Sequence, residues 1–341
     1  MRATRIEYLK KAFAQRRRVE GGHGRAVEAS VNTRLPRLAC DAHLHVFGPP
    51  SRYPGAPTRQ YQPLARSFDD YRAVAGPLGL ARAVLVQPSA YGSDNRCLLD
   101  TLRAHPESTR GVVVIDPALP EDALAEMHAL GVRGVRLNLM NPRVQDAAGA
   151  RRLVEPVVRR IERYGWHLQI YADPDVVAPL ADLLASLPVP VVLDHCAGAR
   201  AGRDDCDGAR DLPAGAFAAL VRLYAAERCW VKLSGADIVA GCGAVATPTG
   251  AAELAPAAPY LRALVAAGTQ QLVWGTDWPH LFHFHGPMGD AAPDALFRAV
   301  DDDALVALLH ACVPDAAARR RILVDNPARL YGFDGVTDVA P

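Results

Sequence analysis

The sequence predicts an α/β fold in which eight parallel strands, each followed by a helix, close into a (β/α)8 barrel. From residue 38 onward, short β-branched runs alternate with longer stretches rich in Ala, Leu and Arg. Eight such runs occur, and strands that alternate with helices form parallel sheets. The chain has 341 residues, and a barrel of this kind uses about 250 residues as a single unit. We therefore predict one barrel domain over residues 38–335.

The predicted strands are near-continuous apolar runs, as expected for strands that are covered on both faces. They lie at 37–47, 81–88, 110–117, 132–139, 165–173, 188–196, 229–235 and 271–279. Amphipathic helices are predicted between them, for example at 121–130, 150–165 and 176–187. An open doubly wound sheet is the alternative, but it needs a glycine-rich phosphate turn after its first strand. The sequence there is DAHLHVFGPP, so the barrel is favoured.

Residues 1–37 form a short basic extension before the barrel. They carry ten Lys or Arg against three acidic residues, whereas the whole chain has a formal net charge of +1. No apolar segment follows Arg16, Arg17 and Arg18, which argues against a secretory signal. We expect a solvated extension or a contact with a second subunit in a homodimer. A transit peptide is a further alternative, which the acidic residues in the segment disfavour.

The composition excludes several classes of protein and partner. Half of the residues are apolar and 22% are charged, which excludes a disordered tail, a collagen-like fibre and a disulfide-stapled scaffold. The near-zero net charge gives no reason to expect a nucleic acid, and no run of about 18 apolar residues suggests a membrane span. The seven cysteines are scattered without a C-x-x-C pair, so we expect a cytoplasmic protein. Cys196 is disfavoured as a nucleophile paired with His195, because neighbours along a strand point to opposite faces.

Polar residues cluster at the carboxyl ends of the predicted strands. The first strand ends in His43 and His45, and this H-x-H spacing places both imidazoles on one face. The sixth run ends in Asp194-His195 and the eighth in Asp277. Barrel enzymes keep their chemistry at this end, and the long connections 46–68 and 278–295 follow strands and would cover it. We therefore predict a catalytic site there.

Three motifs carry a family resemblance: CDAHLHVFGP at the first strand, VLDHCAG at the sixth and LVWGTDWPH at the eighth. In this order and at barrel spacing they resemble the amidohydrolase superfamily, in particular amidohydrolase family 2 and its lactonase branch. The resemblance extends from residue 38 to about 333 and includes ILVDNPARLYGF. It implies an amidohydrolase-like TIM barrel and a hydrolase that opens a lactone, a cyclic ester, derived from a carboxylated or aromatic catabolite.

The resemblance also bears on cofactors. Metal-dependent members of the superfamily add a Lys or Glu on the fourth strand, or a His on the fifth, to the first-strand histidines and the eighth-strand aspartate. Here neither strand ends in such a ligand, and His167 lies too early in its run. The lactonase branch that the chain resembles includes a member that lacks these ligands and works without metal, so the resemblance implies no required cofactor. The alternative is one Zn²⁺ held by His43, His45 and Asp277, since three protein ligands suffice for a catalytic zinc site.

Without a metal, Asp277 is the predicted general base. A carboxylate in a dry barrel mouth is expected to have a raised pKa, which suits a base near neutral pH. It would take a proton from the water that attacks the lactone carbonyl. His43, His45 and His195 would donate hydrogen bonds to the carbonyl oxygen as negative charge develops there. Enol and phenol leaving groups favour unsaturated or aryl lactones as substrates.

Four residues match positions that hold substrate in the family. They are Tyr61 on the first long loop, Ser89 after the second strand, Arg136 on the fourth strand and Tyr171 on the fifth. Arg136 would bind a carboxylate through two parallel hydrogen bonds, the alternative being a salt bridge at the barrel mouth. Dicarboxylate-binding members carry a second arginine after the seventh strand, where this chain has Ser234-Gly235-Ala236-Asp237-Ile238. The sequence therefore favours a lactone with one carboxylate or none.

Three other functions remain open at this stage. A lactone isomerase would use the same base and donors, and a metal-dependent decarboxylase or amidohydrolase would need tightly bound Zn²⁺. A non-catalytic barrel recruited through residues 1–37 would tolerate loss of Asp277.

Overall fold

The computed structural model describes residues 34–116, 118–140, 147–201, 216–242, 247–282 and 289–333. Eight strands form one parallel sheet in the order of the sequence, β1 to β8. Each strand lies within one of the eight predicted runs, except that β2 and β3 begin one residue before theirs. Their bounds are β1 Ala39–Leu44, β2 Leu80–Val86, β3 Thr109–Val113, β4 Val132–Asn138, β5 His167–Tyr171, β6 Val191–Leu193, β7 Trp230–Leu233 and β8 Leu272–Trp274.

The barrel closes where the end of β1 meets the segment after β8. The Asp277 amide donates to the His43 carbonyl at 2.8 Å, and the His45 amide donates to the Trp278 carbonyl at 2.8 Å. These bonds form a parallel bridge between Leu44 and Trp278. We call this junction the seam. A (β/α)8 barrel is therefore observed, and the seam places two predicted site segments side by side.

Helices pack around the sheet between consecutive strands. The longer ones are α1 Phe68–Leu78, α2 Arg96–Ala104, α3 Glu121–Ala129, α4 Ala147–Ile161, α7 Ala216–Ala225, α10 Ala258–Ala267 and α11 Asp302–Cys312. The shorter ones are α5 Pro174–Val177, α6 Ala181–Ser186, α8 Ala236–Val239, α9 Ala251–Leu254, α12 Ala316–Arg320 and α13 Asn326–Tyr331.

Local sequence explains where several helices begin and break. The Ser67 hydroxyl accepts from the Asp70 amide and the Asp70 carboxylate accepts from the Ser67 amide, so a capping box starts α1. The Asp301 carboxylate caps α11 in a similar way. The prediction of one helix over 176–187 is wrong in detail, because that segment divides into α5, a 3-10 turn at Ala178–Leu180 and α6. Pro179 lies at the break and lacks the amide that a continuous helix needs.

The first long connection is ordered and partly buried. Tyr53 and Tyr61 project into the interior, with exposed fractions of 8% and 4%, and Phe47 packs 6.4 Å from the Tyr61 ring. Six of the seven cysteines lie in the described part of the chain, and none of those six forms a disulfide. None of the described helices combines the length and the apolar character that crossing a bilayer requires. Residues 1–33 lie outside the described residues, so the predicted role of the basic extension and its boundary at residue 37 stay predictions.

Candidate active site

Three imidazoles converge on one oxygen of Asp277 at the carboxyl end of the barrel. The Nε2 atoms of His43 and His45 both lie 3.6 Å from Asp277 Oδ1, and His195 Nε2 lies 3.9 Å from the same oxygen. All four side chains are buried, with at most 9% of any side chain exposed. The four predicted catalytic residues, from three separate strand ends, therefore share one small volume.

Asp41 holds the two segments of the seam that carry His43 and Asp277. Its Oδ1 accepts from the amides of His43 at 3.0 Å and Thr276 at 3.1 Å, and its Oδ2 accepts from the Thr276 hydroxyl at 2.6 Å. Burial raises the Asp41 pKa to about 6, although these hydrogen bonds lower it. A Cβ at Gly275 would lie 2.6 Å from the His43 nitrogen, so only glycine allows this approach of the two segments.

The backbone at two of the site residues is strained. Asp277 has φ of +68° and His195 has φ of +48°, a left-handed conformation that non-glycine residues seldom adopt. Such residues persist where the surrounding structure holds them, and they concentrate at functional sites.

Hydrogen bonds fix which nitrogen of His45 carries a proton. Its Nδ1 lies 2.8 Å from the Val86 carbonyl, and because a carbonyl only accepts, Nδ1 is the donor. In the neutral ring, Nε2 then presents a lone pair to Asp277. His43 has no well-aligned hydrogen bond, but its Nδ1 lies 3.3 Å from the Asp194 carboxylate, and this contact favours a proton on the same nitrogen.

His195 differs from the other two imidazoles. Its Nδ1 lies 3.0 Å from the Ser234 hydroxyl, which is able to donate. Since a hydroxyl either donates or accepts, this contact is compatible with a proton on either nitrogen of His195, and Nε2 faces the site. The three histidines are therefore not equivalent, because a carbonyl fixes the tautomer of His45 and a hydroxyl leaves that of His195 open.

Asp194 and Lys232 lie directly behind the site, and the sequence pattern alone gave neither of them a role. Asp194 Oδ1 lies between His43 Nδ1 at 3.3 Å and Lys232 Nζ at 3.9 Å. Asp194 Oδ2 accepts from Gln169 Nε2 at 3.0 Å and Arg136 Nε at 3.3 Å. Lys232 also donates to the Ala42 carbonyl at 2.8 Å and is fully buried. One signal could have revealed it, because it is the single cation inside the apolar run CWVKLSG.

The electrostatics of the site correct one expectation. Burial raises the pKa of the Asp277 carboxyl, but the imidazoles of His195, His45 and His43 lower it by more, so that it lies well below its usual range. The expectation of a raised pKa is therefore wrong, because it counted burial and not the imidazoles. Burial also lowers the pKa values of His43 and His195. At neutral pH the site thus holds an ionised Asp277.

The four predicted substrate residues surround this centre. Ser89 begins a 3-10 turn after β2, and its hydroxyl lies 3.5 Å from the Tyr61 hydroxyl. The Tyr171 ring packs edge-on against His195 with centroids 4.8 Å apart, and the Arg136 guanidinium lies 5.5 Å from the Tyr171 centroid. Arg136 forms the salt bridge to Asp194 that the sequence analysis held as its alternative, and it does so through Nε.

His43, His45 and Asp277 also form a group that could hold a metal ion, their ligand atoms all lying within 4.8 Å of one another. Separations of 3.6 Å exceed normal hydrogen bonds, but zinc–nitrogen bonds of about 2.0–2.1 Å place two tetrahedral ligands about 3.4 Å apart. Neither ring nitrogen of the buried His43 has a well-aligned hydrogen bond to protein. Two lone pairs and a carboxylate oxygen fit a divalent cation. His167 stays outside this group, as expected, and packs 5.4 Å from the Tyr331 ring.

The departures from the family pattern are only partly described. Asp237, in the segment where an arginine was expected, accepts a 2.6 Å hydrogen bond from Arg298 Nε, and both side chains are buried. The resemblance also implies an arginine a little beyond Arg136, where Pro142 precedes Arg143, and those two residues lie outside the described ranges. So do His283 and His285 in the connection after β8, a segment that could add specificity by the same resemblance.

Comparison with known proteins gives a consistent result. A family model described as amidohydrolase matches residues 40–333. A 4-sulfomuconolactone hydrolase from Rhizobium radiobacter is 32% identical, over 90% of this chain and 94% of that protein. A 2-pyrone-4,6-dicarboxylate hydrolase from Comamonas testosteroni is 33% identical, over 87% and 91%. A solved Pseudomonas putida structure that carries the provisional name 2-pyrone-4,6-dicarboxylic acid hydrolase is 32% identical, covers 88% of this chain and 100% of that one, and has a TM-score of 0.67.

Proposed function

The chain belongs to the amidohydrolase family, and we propose that it is a lactone hydrolase in which Asp277 is the general base. The observation that carries this proposal is the convergence of three imidazoles on Asp277 Oδ1 at the barrel mouth. The relatives that open lactone rings cover nearly the whole chain, which supports the same substrate class here.

Asp277 begins the reaction by accepting a proton from water. The imidazole contacts all involve Oδ1, which leaves Oδ2 as the proton acceptor. Its low pKa makes it a weak base but keeps it ionised through the neutral range. The same water, held beside Oδ2, attacks the lactone carbonyl carbon as it gives up that proton, and the bond between that carbon and the ring oxygen breaks. The proton on Asp277 passes to the departing ring oxygen.

His195 is the donor for the carbonyl oxygen. In the tautomer in which the Ser234 hydroxyl donates to Nδ1, the His195 Nε2–H faces the site, and a donor aimed at a developing oxyanion contributes about 3 kcal/mol. Enol leaving groups need less assistance than alkoxides, so an unsaturated, carboxylated lactone from aromatic catabolism suits this site best.

The lone pairs of His43 and His45 favour one Zn²⁺ as a cofactor over the expectation of none, with Asp277 Oδ1 as the third ligand. A zinc ion bound there supplies Lewis acidity to a carbonyl. Asp194 holds the His43 ring in the tautomer that this requires, as carboxylates do for metal-ligating histidines.

A lactone panel followed by a pH indicator tests the activity. Hydrolysis of each ring releases one acid, whereas an isomerase would consume the lactone without net acid, and a decarboxylase would leave it intact. We expect acid release from unsaturated carboxylated lactones. Consumption of lactone without acid would instead establish the isomerase.

Metal analysis with chelation tests the cofactor. We expect about one zinc per chain, loss of activity after dialysis against dipicolinate and recovery on adding Zn²⁺. A metal-free protein with full activity would refute the zinc site and restore the expectation of no required metal.

A further inference from the structure

We propose that Arg200 binds a carboxylate substituent of the lactone and so determines specificity for anionic substrates. This inference rests on the proposed function, and no family motif singled the residue out. Arg200 follows β6, on a loop that the 3-10 turn Cys196–Gly198 brings against the end of β5. Its Nη2 donates to the Tyr171 hydroxyl at 2.9 Å.

Tyr171 connects Arg200 to the reaction centre. The Tyr171 ring packs 4.8 Å from the His195 ring, and His195 Nε2 lies 3.9 Å from Asp277. Asp277 and Arg200 both act electrostatically on the Tyr171 hydroxyl. A ring whose ester carbonyl faces Asp277 and His195 can therefore direct a substituent past Tyr171 to the guanidinium.

Arg200 has unused capacity to donate. Its Nε is buried and has no hydrogen-bond partner in the part of the chain that the structure describes. A buried donor left unpaired is costly, and such groups in native proteins call for an explanation. No carboxylate among the described residues lies within salt-bridge distance of Arg200, whereas Arg136 is paired with Asp194 at 3.3 Å. Of these two guanidiniums, only that of Arg136 has a carboxylate partner within the described ranges.

The backbone holds Arg200 in place before substrate arrives. The Arg200 carbonyl accepts from the Tyr260 hydroxyl at 3.3 Å, and the next amide, of Ala201, donates to Val239 at 2.7 Å. At Gly198, where φ is +80°, a Cβ would lie 2.2 Å from the Ala172 carbonyl oxygen, so glycine is needed for the loop to approach β5. A pre-positioned guanidinium loses little entropy on binding a carboxylate.

The test compares 2-pyrone-4,6-dicarboxylate with its dimethyl ester, which keeps the ring and removes the charge. We expect Arg200→Gln to lower kcat/KM for the dicarboxylate about tenfold to hundredfold, mainly through KM, because a hydrogen bond to a charged group is lost. The diester should change less than about twofold. Arg200→Lys should recover part of the loss, and Arg222→Gln, on the exposed face of α7, removes the same charge as the control.

Equal losses for both substrates, or no loss for either, would overturn the inference. If the unaltered protein opens neither ring, the proposed function fails for this substrate class and calorimetric binding of the dicarboxylate decides the inference by itself. Binding that Arg200→Gln weakens and Arg222→Gln leaves intact would support it. Absence of binding to the unaltered protein would overturn it.

Discussion

His167 and His43 are both fully buried in the barrel, yet their neighbours differ in kind. His167 begins β5, packs against Tyr331 and lies so close to Gly134 that a Cβ there would be 2.3 Å from its ring. Burial lowers its pKa to about 3, which makes it a neutral core residue. His43 ends β1 at the opposite mouth and lies within 3.6 Å of two carboxylates, those of Asp194 and Asp277.

The two ends of the barrel differ in the same way as the surroundings of His167 and His43. At the end where the strands begin, Arg82 and Arg110 pack their guanidiniums 5.1 Å and 4.6 Å from the Phe333 ring, and Arg110 donates to backbone carbonyls. Buried charge there is satisfied by groups that do not react. At the mouth, acids, imidazoles and cations face one another at distances that leave room for an atom between them. Burial of a single polar residue thus does not identify a functional site. Several titratable groups of different kinds that meet in one place do indicate a catalytic site.

The largest expected effect is loss of the base at the mouth. Asp277→Asn should lower kcat by about three orders of magnitude or more, since no other carboxylate in the described part replaces its Oδ2. The exposed Asp175 on α5 provides the control, and Asp175→Asn should leave kcat unchanged. A non-catalytic barrel would show no difference between the two variants.

The paired histidines give the sharpest test of the contrast. His43→Met should lower kcat/KM by about a hundredfold, because it removes a group that faces the reacting atoms. His167→Met should keep kcat/KM within about threefold and change only the melting temperature, since methionine adapts to core space. Similar losses of activity in both variants would mean that the two ends of the barrel do not differ in the way we describe.

Lys232 lies inside the barrel, between the end where the strands begin and the catalytic mouth. Its Nζ lies 3.9 Å from Asp194 Oδ1. Burial lowers its pKa from 10.5 to about 8, although Asp194 raises it, so its charge is lost as pH rises through about 8. We expect kcat/KM of the unaltered protein to fall above that pH. Lys232→Met should remove this alkaline step and be uniformly about tenfold less active. An alkaline limb that survives in Lys232→Met would assign the step to another group.

The smallest expected effect lies at the far end of the barrel. Arg110→Gln should lower the free energy of unfolding by about 1–3 kcal/mol, through loss of its carbonyl hydrogen bonds and its contact with Phe333. Activity at 25 °C should stay the same. Denaturant unfolding beside a kinetic assay measures both, and a catalytic defect in a stably folded variant would contradict the separation of the two ends.

Much of the fold could be predicted because its signals are local. Each strand is a short apolar run, and the ends of parallel strands meet at one mouth, so His43, His45, His195 and Asp277 could be grouped from the sequence alone. The direction of the Asp277 pKa could not, because it depends on a balance between burial and three imidazoles. Arg200 was also missed, since its contact with Tyr171 depends on how a loop folds and not on periodicity.

The seam affects when the site is completed during synthesis of the chain. The imidazoles of β1 are among the first barrel residues to leave the ribosome, and the segment that carries Asp277 is among the last. Until that segment pairs with the His43 backbone, the Asp277 carboxylate does not lie beside His43 and His45. Activity is therefore expected only once translation has passed the eighth strand, and nascent fragments that end earlier are expected to be inert.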